Sequence, residues 1–189
     1  MSMIGNFRTT SDADIDELLE RPKRIELMLY GEYITEKSRK KGLFSFLKKK
    51  ETHPDNWRPR DQGDEFDVDK AWHGIHYLLT GSAWEGSGPE AFIVVGGMEI
   101  GDVDVGYGPA RAFKSKEVRE IADKLRGIEK EALMKACDKK KFFKNEIYPE
   151  IWDEKPESCF GYVLEYFEDL KRFVVKAAEN GKALIVYIN

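Results

Sequence analysis

The sequence predicts an α+β fold: a single domain with a small mixed sheet and a buried C-terminal strand, covered by several helices. Three observations carry that prediction. The closing run Ala183-Leu184-Ile185-Val186-Tyr187-Ile188 is almost uniformly apolar, as a strand covered on both faces must be. Ahead of it, Val163, Phe167, Leu170, Val174 and Ala177 recur at steps of three and four, one apolar stripe on a helix. Strand-like and helix-like segments interleave irregularly, which fits α+β better than a doubly wound sheet.

Taken in order, residues 3–9 read as a short strand. Ser11 supplies an N-cap with Asp14 three residues on, and Ile15, Leu18 and Leu19 follow at helical spacing up to Pro22. Ile25 to Ile34 fits a helix or a strand equally well. Residues 36–66 are expected to form a basic surface excursion. Between Glu36 and Arg60 nine Lys/Arg stand against three Asp/Glu, and Pro54, Pro59 and Gly63 break regular structure. Residues 67–80 make the best helix of the first half. Phe92-Ile93-Val94-Val95 reads as a buried strand ended by Gly96-Gly97, and residues 98–113 alternate and bend around glycines. Ser115 is expected to cap a helix to about Gly127, with another from Glu129 to about Lys140. Pro156 opens the long striped helix and Gly181 stops it.

Composition narrows the class of protein. A chain of 189 residues can bury roughly 70% of its unfolded surface, ample for one core. With 41% apolar and 12% aromatic residues it is not a disordered chain. No apolar run reaches the ~18 residues of a spanning helix, and the opening residues lack the pattern of a secretory signal. Two cysteines, Cys137 and Cys159, are too few for a disulfide scaffold and fit a reducing cytoplasm. A net charge of -4, with the basic residues gathered in one stretch, is a poor footprint for nucleic acid, and none is expected as a partner. The Leu43-Phe44-Ser45-Phe46-Leu47 patch within Lys37–Lys50 is read as part of a solvated loop that tucks back onto the body, rather than as a membrane-surface contact.

The residues that carry chemistry lie mainly on the 67–80 helix. At about 100° per residue, Leu78, Ala71, Ile75, Val68, Leu79 and Trp72 fill one apolar arc. His76, Asp69, Thr80 and His73 fall on its flank, with Asp69 and His73 at i and i+4. Imidazoles on that border are open to three readings: backbone-bonded rings at the rim of the core, a polar pocket or acid–base site, or a metal site. No Cys/His cluster supports the last, so no metal is expected. The turn Gly106-Tyr107-Gly108-Pro109-Ala110-Arg111 leads towards a helix and offers Arg111 to an anion, yet neither dinucleotide nor Walker spacing is present and no cofactor is expected. A third cluster, Glu146-Ile147-Tyr148-Pro149, adds an aromatic to a loop. No Gly-x-Ser-x-Gly elbow occurs, and neither cysteine lies in a catalytic context.

The segment Asp69-Lys70-Ala71-Trp72-His73-Gly74-Ile75-His76-Tyr77-Leu78-Leu79-Thr80-Gly81 resembles the YfbM-like family, small bacterial domains of unknown function. Met3-Ile4-Gly5, the Gly106–Arg111 turn, Glu146-Ile147-Tyr148-Pro149 and the closing stretch Tyr166–Phe173 agree in the same order. The resemblance implies one α+β domain over residues 1–189 and a bacterial cytoplasmic protein. It implies no activity, and it constrains the basic excursion least.

The function expected from these residues is a non-enzymatic small-molecule or protein binding module. Its shallow cleft would be lined by Asp69, Trp72, His73, His76, Tyr107, Arg111 and Tyr148, with the histidines as polar anchors, Trp72 and Tyr107 as apolar walls, and Arg111 as the anion contact. The alternative is a hydrolase- or transferase-like enzyme in which Asp69 orients His73 as general base and His76 assists. Catalysis requires an imidazole open to a pocket; rings sealed against backbone exclude it.

Overall fold

The computed structural model describes residues 2–33 and 56–189. Five strands, β1 (Gly5–Thr10), β2 (Glu65–Asp67), β3 (Met98–Asp104), β4 (Pro109–Phe113) and β5 (Ala183–Ile188), form one sheet in the order β2-β1-β5-β4-β3. Seven helices accompany them among the described residues: α1 (Asp12–Glu20), α2 (Arg24–Tyr30), α3 (Trp72–Thr80), α4 (Ser115–Arg126), α5 (Lys130–Ala136), α6 (Lys139–Lys144) and α7 (Pro156–Glu179). This is the expected α+β architecture. The sheet itself is antiparallel at every pairing rather than mixed. β3 and β4 are a hairpin, and no crossover sets two neighbours parallel.

The uniform apolarity of β5 follows from its central place. Leu184 and Val186 point into a large core with α3, α4 and α7, whereas Ala183 and Ile185 point into a smaller one with α1 and α2. All five stripe residues of α7 are buried in the larger core.

α1 begins as its sequence predicts. The Asp14 N–H donates to the Ser11 hydroxyl at 3.1 Å. The buried Asp14 carboxylate in turn accepts from the Ser11 and Thr10 hydroxyls and from the Arg60 and Asp61 backbone N–H groups. One carboxylate thereby orients the capping hydroxyl of Ser11 and fastens a segment some 46 residues further along the chain. Burial alone would raise its pKa; the four hydrogen bonds hold it below 3.8. Gly63, at φ 63°, lies so close to β1 that a Cβ would stand 1.7 Å from the Thr9 carbonyl oxygen, so only glycine fits. Of the expected basic excursion, residues 36–55 lie outside the described residues; residues 56–64 run beside α1 and β1, and Glu65–Asp67 pair with β1.

Four local expectations are corrected. Phe92–Val95 is not a strand: it follows a short 3-10 turn at Pro89–Ala91 and bonds back on itself, the Phe92 and Val94 N–H groups donating to Pro89 and Ala91. A run of four apolar residues can plug a core as well as pair in a sheet, and Phe92 and Ile93 are buried as plugs. Regular α-helix begins only at Trp72, because Asp69 adopts φ 44° ahead of a 3-10 turn at Asp69–Ala71. Ser115 is the first residue of α4 rather than its cap; its hydroxyl and N–H both donate to Asp12, and the Lys114 N–H donates to Glu117. The helix expected over 129–140 is two, broken at Cys137–Asp138, where the Asp138 carboxylate accepts the Lys140 N–H.

Candidate functional site

α3 buries Trp72 through Tyr77 and ends at Gly81, which takes the left-handed conformation and returns its N–H to the Tyr77 carbonyl at 2.8 Å. From that stop the chain enters Gly81-Ser82-Ala83-Trp84-Glu85-Gly86-Ser87-Gly88, a run of turn-forming residues with one tryptophan in it.

Both imidazoles of α3 are fully buried. The Tyr148 N–H donates to His73 Nδ1 at 3.0 Å, so the ring proton sits on Nε2, which donates to the Ala83 carbonyl at 2.8 Å. His76 donates from Nε2 to the Glu85 carbonyl at 3.2 Å; its buried Nδ1 has no partner among the described residues. Two histidines one turn apart thus hold the carbonyls on either side of Trp84. The Thr80 hydroxyl accepts the Ser82 N–H at 3.1 Å and the Ser82 hydroxyl accepts the Glu85 N–H at 3.2 Å, completing the tether.

Trp84 itself stays 57% exposed. Its indole centroid lies 4.3 Å from that of His73 and 6.1 Å from that of Trp72. Below it Trp72 stacks on His73 at 4.8 Å and 13° and donates its indole N–H to the Met3 carbonyl. The Tyr148 ring stands 6.0 Å from Trp72, and its hydroxyl accepts the Met3 N–H.

Burial keeps both rings neutral. It lowers the His73 pKa below 6.5 against the opposing bond to Ala83. For His76 it does so more strongly, to about 4, opposed by the Glu85 bond and helped by repulsion from His73 once that ring is protonated and from the Arg111 cation. A metal ion would have to enter beside the Arg111 cation. No group of three His, Cys, Asp or Glu side chains is placed to hold one among the described residues.

Of the seven residues expected to line a cleft, four gather and three are engaged elsewhere. Trp72, His73 and Tyr148 form one aromatic stack, with His76 a turn away on the same helix. Arg111 approaches from β4, but its guanidinium donates to the Ile93 and Gly96 carbonyls and pins the plug rather than facing a ligand. Asp69 does not meet His73. Its positive φ takes it out of helical register, its carboxylate accepts from the Tyr162 hydroxyl at 2.9 Å, and both His73 nitrogens are already engaged. Tyr107 is exposed in the β3–β4 turn beside Ile188 and makes no ring contact with the stack. The thiols offer no nucleophile either: burial pushes Cys137 up to about 11 and raises Cys159 as well.

Helix projection located the histidines and missed Trp84. A signal for it was present: an indole within a Gly/Ser-rich stretch has no periodic neighbours with which to enter a core.

A family model described as a domain of unknown function, DUF1877, matches residues 1–187. Among solved structures the chain is similar to YfbM from Escherichia coli, described as a protein of unknown function. The two are 20% identical with a TM-score of 0.67, over 98% of this chain and 99% of that one, a likeness of fold. No curated protein matches.

Proposed function

The chain belongs to the DUF1877 family of domains of unknown function, and within it we propose that this protein is a non-enzymatic binding domain whose contact residue is Trp84. One observation carries the reading: His73 and His76, both buried and neutral, hold the two carbonyls that flank a tryptophan left 57% exposed. An indole fixed in place from below loses little freedom when a ligand or partner packs on it, which is how exposed tryptophans become strong contacts. The histidines act as positioning residues beneath the contact, together with Trp72 and Tyr148.

The acid–base alternative needs Asp69 to orient an open His73, and neither condition is met. A bacterial, cytoplasmic setting belongs to the same proposal, supported by two free thiols. No helix among the described residues is long and apolar enough to cross a membrane.

The test is a thermal-shift screen of metals, nucleotides and common metabolites on the wild-type chain, on Trp84→Ala and on His73→Ala. The account expects hits that Trp84→Ala abolishes without loss of fold. Hits that survive Trp84→Ala, or turnover of a hydrolase substrate that depends on His73, contradict it.

A further inference from the structure

A cleft of about 470 Å³ opens between the break at Cys137–Asp138 and the first turn of α7. It shares no lining residue with the Trp84 stack. Pro156, Phe160 and Ala136 give it an apolar bed, and Lys135, Lys139 and Lys141 stand around it. Lys139 is engaged, donating to the Glu154 carbonyl. The Lys135 and Lys141 ammonium groups have no hydrogen bond or ion pair among the described residues, unlike the paired lysines Lys114, Lys176 and Lys182 elsewhere on the surface.

Asp138 is the opposing charge on the lining; its carboxylate, which accepts the Lys140 N–H, offsets one of the three lysines and leaves the other two in excess. The Cys137 thiol, its pKa pushed up to about 11, adds no negative charge. The positive end of the 24-residue helix α7 meets the cleft at Pro156, with no side chain capping it, although Glu157 in the same turn partly offsets that field. A chain of net charge -4 thus carries a concave site with an excess of positive charge and an apolar bed.

We propose that this cleft binds a small organic anion, a phosphate or carboxylate carried on an apolar body, with Lys135 and Lys141 meeting the anionic group and Phe160 and Pro156 the body. Lysine suits the task, since an ammonium on a flexible stem is a point charge that adapts to a phosphate or carboxylate without a fixed fork. The volume matches a small-molecule site. A concave bed favours such a ligand over a flat lipid surface.

The probe is phenyl phosphate, titrated into the full chain by calorimetry and by amide chemical shifts, with phenol and inorganic phosphate as the two halves of its chemistry. Saturable binding is expected, with shifts confined to residues 134–141 and 156–160, weakening as salt is added. Phenol and inorganic phosphate should each bind more weakly. Lys135→Gln/Lys141→Gln, changes at two exposed positions, should weaken phenyl phosphate about tenfold or more. Trp84→Ala should leave it unchanged, so the cleft and the Trp84 reading stand or fall separately. Absent binding, phenol as tight as phenyl phosphate, or indifference to the double substitution would overturn the proposal. Capture by phosphatidylglycerol vesicles without binding of phenyl phosphate would overturn it in favour of a membrane surface.

Discussion

The His73 imidazole lies 4.3 Å from the Trp84 indole, centroid to centroid, and donates its Nε2 proton to the carbonyl of the residue just before that tryptophan. The same ring accepts a hydrogen bond from the Tyr148 backbone N–H at Nδ1. One neutral side chain therefore joins α3, the 81–88 loop and the 147–149 segment, and leaves an aromatic face in solvent.

His73→Ala should be strongly destabilising. It removes a buried ring and leaves the Ala83 carbonyl and the Tyr148 N–H without their partner, a loss of about 3 kcal/mol or more. Urea denaturation at neutral pH measures it; a loss below about 1 kcal/mol would mean the ring is not a strut.

Trp84→Ala should behave oppositely. The side chain is mostly in solvent and its stabilising contribution rests on the ring contact with His73, so a cost of about 1 kcal/mol or less is expected from the same denaturation curves. Acrylamide quenching should lose its most accessible emitting component in this variant.

Acidification should weaken the fold in two separate windows. The unfolded chain protonates His76 as pH falls through 6.5, whereas the folded chain resists until about 4. The unfolded state thus binds more protons between those values, so stability is complete above 6.5 and declines towards 4, by on the order of 3 kcal/mol from this ring. His73 acts in the same direction. Asp14, whose folded pKa lies below 3.8, contributes stability that is present above 3.8 and lost only as pH falls through that lower value. Stability measured from pH 7 to 4 should slope in the wild type and slope less steeply in His76→Gln, where the contribution of His73 remains.

Asp14→Ala should free the segment after residue 55 from α1. The Arg60 and Asp61 N–H groups lose their acceptor along with two hydroxyls, for a cost of about 2 kcal/mol or more. Hydrogen exchange at Arg60 and Asp61 should quicken sharply, while amides of β5 slow or quicken only with global stability.

What could be read from the chain alone was whatever a single periodicity decides. α7 and β5 each repeat one pattern over six or more residues, and both formed as expected, with Ser11 and Asp14 opening α1. Phe92–Val95 was illegible because four apolar residues carry no period. Asp69 was misplaced because a positive φ interrupts a helix that the spacing continues through. The flank of α3 correctly gathered His73 and His76, yet their burial comes from the 81–88 loop and from Tyr148, the latter 75 residues away from His73. Exposure of Trp84 is a tertiary outcome of the same covering.

The most direct test of the account is long-range ¹H–¹⁵N NMR of the two imidazoles through an acid titration. Both rings should carry their proton on Nε2 at neutral pH, with His73 titrating below 6.5 and His76 holding its proton count until about pH 4. A ring protonated on Nδ1 alone, or one titrating at the ordinary 6.5, would mean that the carbonyls beside Trp84 are not held from below.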